Sequence, residues 1–256
     1  MTYIIGSKCT DGIVLVGDTK ITIGGGTEYS YAKKIIHPSE NIVVGSSGSS
    51  GLYRSFQSRL ILGIEKISEE RGDQNINWEQ ELVLLAERVI HEMGISYGKE
   101  TIAWNLDALL VIRTGFEPEL IHLSGRGYPE PITDYAAVGH GEPYGAVLLK
   151  TLWNKLKPMR MEEFAKIGCL AIKYVQDLEL DNSVGVDTRN NGIPQVWYIP
   201  SIPERELESK KTPIQAKRIF NKYAIRELSV NEIGSLMRYA SKNVAKIKKS
   251  METLSF

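Results

Sequence analysis

The chain has 256 residues, of which 42% are hydrophobic and 24% charged, and its 31 Lys+Arg balance 31 Asp+Glu. These values exclude the disordered and fibrous classes and fit one large domain, or one domain with an appendage. With no apolar run of about 18 residues and no basic leader ahead of a long apolar core, the chain reads as a soluble, cytoplasmic protein with no membrane partner.

The first 45 residues read as strands in successive hairpins. "TYIIGSKC" and "GIVLVGDTKIT" are β-branched and apolar around a "TDG" turn, and "KKIIHPSENIVVG" repeats the pattern. The period then changes. Leu52, Phe56, Leu60, Ile64 and Ile67 recur at helical spacing, as do Leu82, Leu85, Val89 and Met93, which predicts two helices after a first sheet. From Leu106, "LDALLVIRT", "PELIHLSG" and "DYAAVGHG" predict a second sheet. Helical spacing resumes from Tyr144 to Leu156 and from Met161 to Val175, with Pro158 as the break, and "PQVWYI" is the last strand. Elements clustered by type in this way argue for two packed sheets with helices outside them.

After Pro203 the chain becomes charged and helical. Residues 204–256 carry 12 Lys+Arg against 6 Asp+Glu, a net +6 that leaves −6 on the preceding residues. A solvated helical face explains this better than a nucleic-acid partner. Thr212-Pro213-x-Gln215 and Ser229-x-x-Glu232 both read as capped helix starts. The apolar stripe Ile233, Leu236, Ala240, Val244 and Ile247 must pack on the core or on another subunit. The expected division is a main domain over 1–202 and a basic helical extension over 203–256.

Several features read as ordinary structure. Cys9 and Cys169 lie in apolar patterns as small buried thiols, and His37, His91, His122 and His140 have no metal-ligand spacing. The Ile23 to Gly26 turn lacks the Lys-Ser/Thr that a phosphate loop needs. The Gly/Ser composition of "VVGSSGSSG", Val43 to Gly51, is that of a flexible linker, unless its surroundings make it part of a site.

Three residues suggest chemistry. Removal of Met1 makes Thr2 N-terminal, giving it a hydroxyl nucleophile and, in its own α-amine, a base of pKa about 7.7–8.0. Asp18 ends the second predicted strand and Lys34 begins the third, so both can flank the first strand. Without Thr2 they read as an ion pair across a hairpin. With it, the lysine lowers the energy of a developing alkoxide and the carboxylate keeps that lysine charged and oriented. Lys33, one position away, faces the other side.

The chain resembles the β-type proteasome subunits and their simpler relatives, the threonine branch of the N-terminal nucleophile hydrolases. The likeness lies in "TYIIGSKCTDGIVLVGDTK" and "KKIIHPSENIVVGSSGSSG", and more loosely in "AAVGHGEPYGAVLL" and "LELDNSVGVDT". That family places its aspartate 16 and its lysine 32 residues after the threonine, the intervals from Thr2 to Asp18 and Lys34. "EPYGAVLL" and the extension resemble the Anbu-type relatives.

The resemblance implies a four-layer αββα sandwich of the α+β class with a C-terminal helical extension. It also implies a site. Gly48, 14 residues after Lys34, takes the position whose N–H forms the oxyanion hole, which makes the Gly/Ser segment a wall of the site. Ser46 takes the floor of the specificity pocket, with Ser47 and Ser50 beside it, and Asp181 takes the aspartate of the late motif. Two departures stand out. Gly139-His140-Gly141 replaces the usual Gly-Ser-Gly, so His140 either bonds the terminal amine or is only a loop residue, and Val184 replaces a serine, with Ser183 one position early.

The implied activity is acyl transfer from a peptide carbonyl to Thr2, followed by hydrolysis, with no metal or organic cofactor. The substrate is a peptide or unfolded protein, and the assembly a homo-oligomer, ring or open, with an ATPase partner left open. Two alternatives remain: a ligase or transpeptidase using the same nucleophile, and a catalytically silent structural subunit with a binding tail.

Overall fold

Strict alternation of apolar side chains decides the layers. In a computed structural model of the chain, the residues described are 2–23, 28–71, 76–153, 159–178, 180, 181, 184–186, 193–204, 206 and 213–254. Met1, Gly24 to Gly26 of the expected turn, Pro158, Ser183 and Thr212, expected to cap a helix, lie outside them. The strands β1 (Ile4–Cys9) and β2 (Gly12–Gly17) form a hairpin. Its Ile5, Val14 and Val16 face one cluster while Ile4, Ile13 and Leu15 face another. After a separate ribbon of β3 (Lys20–Ile23) and β4 (Glu28–Tyr31) come β5 (Ile35–Ser39) and β6 (Ile42–Gly48).

Three helices follow: α1 (Ser50–Arg71), α2 (Trp78–Tyr97) and α3 (Lys99–Asn105). The next elements are β7 (Leu106–Ile112), β8 (Glu119–Ser124), β9 (Pro129–Pro131) and β10 (Tyr135–Val138). Then come α4 (Glu142–Trp153), α5 (Met161–Asp177) and β11 (Gln195–Pro200). The described chain ends with α6 (Pro213–Lys222), β12 (Arg226–Glu227) and α7 (Val230–Leu254).

One antiparallel sheet runs β10-β1-β2-β11-β12 and the other β5-β6-β7-β8-β9. Their facing sides meet through Ile4, Leu15, Val43, Leu109 and Val111, while α1 and α2 cover one outer face and α4, α5 and α7 the other. The result is the four-layer αββα sandwich. The grouping of strands differs from the expected one: each sheet combines a hairpin from the first 48 residues with strands from much later. A lone hairpin is at best marginally stable, so each one recruits distant strands on its open edge.

The run read as one strand through "GDTKIT" breaks after Gly17, because Thr19 and Lys20 both donate their N–H to the Gly185 carbonyl at 3.2 and 3.1 Å. Burial pushes the thiols of Cys9 and Cys169 up to about 12, so both remain protonated at neutral pH. Among the described residues no helix is long and apolar enough to cross a membrane.

Ile233, Leu236, Ala240 and Val244 of α7 join the cluster built on α5, so the stripe packs on the chain's own core. The helix opens with a reciprocal cap, in which Ser229 N–H donates to Glu232 Oε2 at 2.9 Å and Glu232 N–H to Ser229 Oγ at 3.4 Å. Arg226, with Ser229, holds the Glu232 carboxyl down at about 2. Ser229→Ala should therefore lose about 1 kcal/mol in urea unfolding. A carboxyl held below its unfolded value stabilises above about 4.5 and loses that effect as pH falls toward about 2. The stability gap between the native chain and Glu232→Gln should narrow over that window.

Candidate active site

Asp18, just after β2, and Lys34, just before β5, meet at one buried point. Lys34 Nζ stands 2.7 Å from Asp18 Oδ1, and both side chains are wholly buried. Nζ also donates to the Lys20 carbonyl at 2.5 Å. Asp18 Oδ1 accepts Tyr3 N–H at 2.8 Å and its Oδ2 accepts Gly185 N–H at 3.2 Å. Burial pushes the Asp18 carboxyl up, against Lys34 and the two backbone donors, and pushes the Lys34 ammonium down, against Asp18. Lys33 points the other way and pairs with Glu227 at 2.6 Å on the surface.

Two glutamines that the sequence reading passed over hold the Lys34 backbone. Gln195 Oε1 accepts the N–H groups of Lys34 and Ile35 at 2.6 and 3.0 Å, and its Nε2 donates to Ile35 O at 2.9 Å. Gln57 Nε2 donates to Lys34 O at 2.9 Å and to Ser46 Oγ at 2.8 Å, joining the lysine to the proposed pocket floor. Each had a signal. Gln57 sits on the buried helical row of Tyr53, Leu60 and Ile64, and Gln195 alternates with the core residues Trp197 and Ile199. A polar residue on an apolar face must have a partner.

Thr2 is wholly buried, and its Oγ1 has no hydrogen-bond partner among the described residues. Its carbonyl accepts Gly141 N–H at 3.4 Å. Gly139, at φ 99°, fits between Thr2 and Ser47, since a Cβ there would lie 2.1 Å from Thr2 O and 2.8 Å from Ser47 Oγ. Gly141 and Gly145, one helical turn apart, leave room for the Tyr3 ring. Ser46 and Ser47 are buried in β6, and Gly48 ends that strand at φ 147°, where a Cβ would meet Asn105 O at 2.0 Å. The Gly/Ser segment is therefore a strand and helix start, not a linker.

Asp18, Lys34, Thr2, Ser46, Ser47 and Gly48 thus converge through shared neighbours. Ser50 is half-buried at the start of α1, His140 is exposed to solvent, and Asp181 is half-buried, its carbonyl accepting Val184 N–H at 3.1 Å. Asp18 and Asp181 both act on the Lys20 ammonium, which burial lowers.

The profile described as "Proteasome subunit" matches residues 2–188. The chain belongs to the proteasome family. A curated relative, proteasome subunit beta 2 of Thermococcus onnurineus, is 25% identical over 174 residues, covering 67% of this chain and 80% of the relative. Anbu (ancestral beta-subunit) from Yersinia bercovieri has a similar fold, with a TM-score of 0.68 at 15% identity over 98% of this chain and 96% of that one. Anbu from Hyphomicrobium sp. strain MC1 gives 0.66 at 16% identity over 98% and 97%. The family is one of subunits, chains that assemble with others.

Against the proteasome pattern, both departures have a physical form. His140 points to solvent, and Val184 is buried with a methyl group against Gly141, where the pattern has a hydroxyl. Lys34→Met would leave Asp18 buried without its cation and should cost about 3–5 kcal/mol in urea unfolding. Gln195→Leu should cost about 1–3 kcal/mol for each backbone group it leaves unpaired in the β5 segment.

Proposed function

We propose that this chain is a threonine peptidase whose nucleophile is Thr2, exposed as an N-terminal residue when Met1 is removed. The observation that carries the reading is a wholly buried Thr2 hydroxyl with no partner among the described residues, one residue from the N–H that binds Asp18, the partner of Lys34. A structural threonine at that depth is normally hydrogen-bonded. An idle hydroxyl one residue from the amide that binds the partner of a buried cation fits a nucleophile held ready for substrate.

Thr2 Oγ1 attacks the peptide carbonyl carbon and passes its proton to the Thr2 α-amine. Lys34, held by Asp18 and the Lys20 carbonyl, stabilises the developing negative charge, and Gly48 N–H receives the oxyanion. Collapse of the tetrahedral species expels the amine, which takes the proton from the α-ammonium and leaves an ester on Thr2. Water then attacks the ester and the α-amine again carries the proton. The substrate is a peptide or unfolded protein, and the working form a cytoplasmic homo-oligomer. Asp181 supports the amine side, and Ser46, Ser47 and Ser50 shape a small polar pocket.

The buried methyl group of Val184 favours a second reading, because no hydroxyl stands at that position to hold a water. An amine that replaces water would make the chain a ligase or transpeptidase.

The intact mass, taken before and after incubation with a peptide epoxyketone, tests the nucleophile, since the ring adduct needs an α-amine and a β-hydroxyl on one residue. Loss of Met1 with one adduct is expected, retained at an altered rate in Thr2→Ser and absent in Thr2→Ala. A mass lacking Met1 that gains no adduct would overturn the reading. Ligated product with little hydrolysis, when a second amine-bearing peptide is supplied, would select the ligase.

A further inference from the structure

A cleft of about 410 Å³ opens at the end of β6 and β7 remote from Gly48. The seven residues of β7 span roughly 20 Å, which separates this cleft from the Thr2 region. Its lining includes His37, Asn41, Arg113, Phe220, Asn221 and Ile225. We propose that it binds a carboxylate carried on a small apolar body, held side-on by Nε and Nη2 of Arg113.

Arg113 is only 5% exposed. Its Nη1 donates to two backbone carbonyls, of Pro200 at 3.5 Å and of Tyr223, and these contacts fix the plane of the guanidinium. The opposite edge is unused. Among the described residues the buried Nε has no hydrogen-bond partner and Nη2 donates to none. Side-on, that edge presents two parallel N–H groups, the geometry that takes both oxygens of a carboxylate.

The charge has no counter-ion among the described residues. Carbonyl dipoles solvate a guanidinium but do not neutralise it, and a buried uncompensated charge is strongly unfavourable. Glu40, exposed on the same cleft, acts on Arg113 through its field without forming an ion pair with it. His37, on the same cleft, packs its ring against Trp197 with centroids 5.3 Å apart. Two idle N–H groups on one edge of a buried guanidinium call for a ligand that only accepts.

The walls choose among anions. Phe220, Ala224 and Ile225 form an apolar side, which an inorganic oxyanion would leave wet and a short aliphatic chain would cover. The space also exceeds what a phosphate fills.

The test titrates the full chain with isovalerate, its neutral amide isovaleramide, and inorganic phosphate, reading calorimetric heat and the ¹⁵N–¹H signal of Arg113 Nε. Isovalerate should bind saturably and shift that signal, with isovaleramide and phosphate roughly tenfold weaker or more. Arg113→Lys, which keeps the charge and loses the fork, should weaken isovalerate by roughly tenfold or more. Glu40→Gln should tighten it by removing a rim charge. Failure of isovalerate to shift the Nε signal overturns the proposal, as does equal binding of the amide. Phosphate binding at least as well as isovalerate also overturns it, because the apolar wall then plays no part. Glu40→Gln weakening isovalerate rather than tightening it counts against it too, and needs no change at Arg113, so the test stands even where Arg113→Lys does not fold. None of these readouts involves Thr2 chemistry.

Discussion

The buried pair of Lys34 and Asp18 is the constraint around which the sandwich is arranged. Neither side chain reaches water, so every remaining lone pair and N–H must be met by the protein. The donors come from Tyr3, just ahead of β1, and from the 184–186 segment through Gly185, and the acceptor from Lys20 at the start of β3. Three stretches distant in sequence are thereby fixed against one another. The same contacts explain why β2 stops at Gly17, since a strand that ran on would draw the Gly185 segment away from the carboxylate. A pair of this kind is weak support for stability, because desolvation offsets most of the attraction.

Much of this was legible because it is local. The intervals from Thr2 to Asp18 and Lys34 run through two short hairpins, and the helical rows of α1, α2, α5 and α7 appear directly as spacing. The division of strands between sheets was not legible, since β1 and β10 meet across more than a hundred residues and no composition encodes that pairing. The ribbon β3–β4 and helix α3 were missed for a related reason: short elements held by neighbours have little periodicity of their own. Gln57 and Gln195 carried a signal, a polar side chain on a buried face, but its meaning depends on which backbone lies opposite.

The Gly/Ser stretch shows how composition misleads when packing is unknown. Small residues usually mark a chain that is not held. Here they permit a close approach: a Cβ on Gly45 would lie 3.1 Å from Ile4 of the facing sheet, and one on Gly48 would run into the Asn105 carbonyl. Ser46 and Ser47 add little bulk, and Ser46 finds its partner in Gln57. Small residues let the facing sheet pack directly onto this strand.

Apolar and backbone contacts, more than ion pairs such as that of Lys33 with Glu227, hold the basic tail. Tyr223 gives its carbonyl to Arg113, β12 extends the sheet beside Trp197 and Tyr198, and α7 lays its apolar stripe on α5. Arg238, Lys242, Lys246 and Lys249 are left on the exposed side, as like charges three or four residues apart. Each such pair opposes the helix by only about 0.2–0.5 kcal/mol, and less in salt. Burying Ile233, Leu236 and Val244 favours it by about 1.5–3 kcal/mol apiece. Packing outweighs repulsion several-fold, so α7 carries a positive surface without needing a negative one to hold it in place.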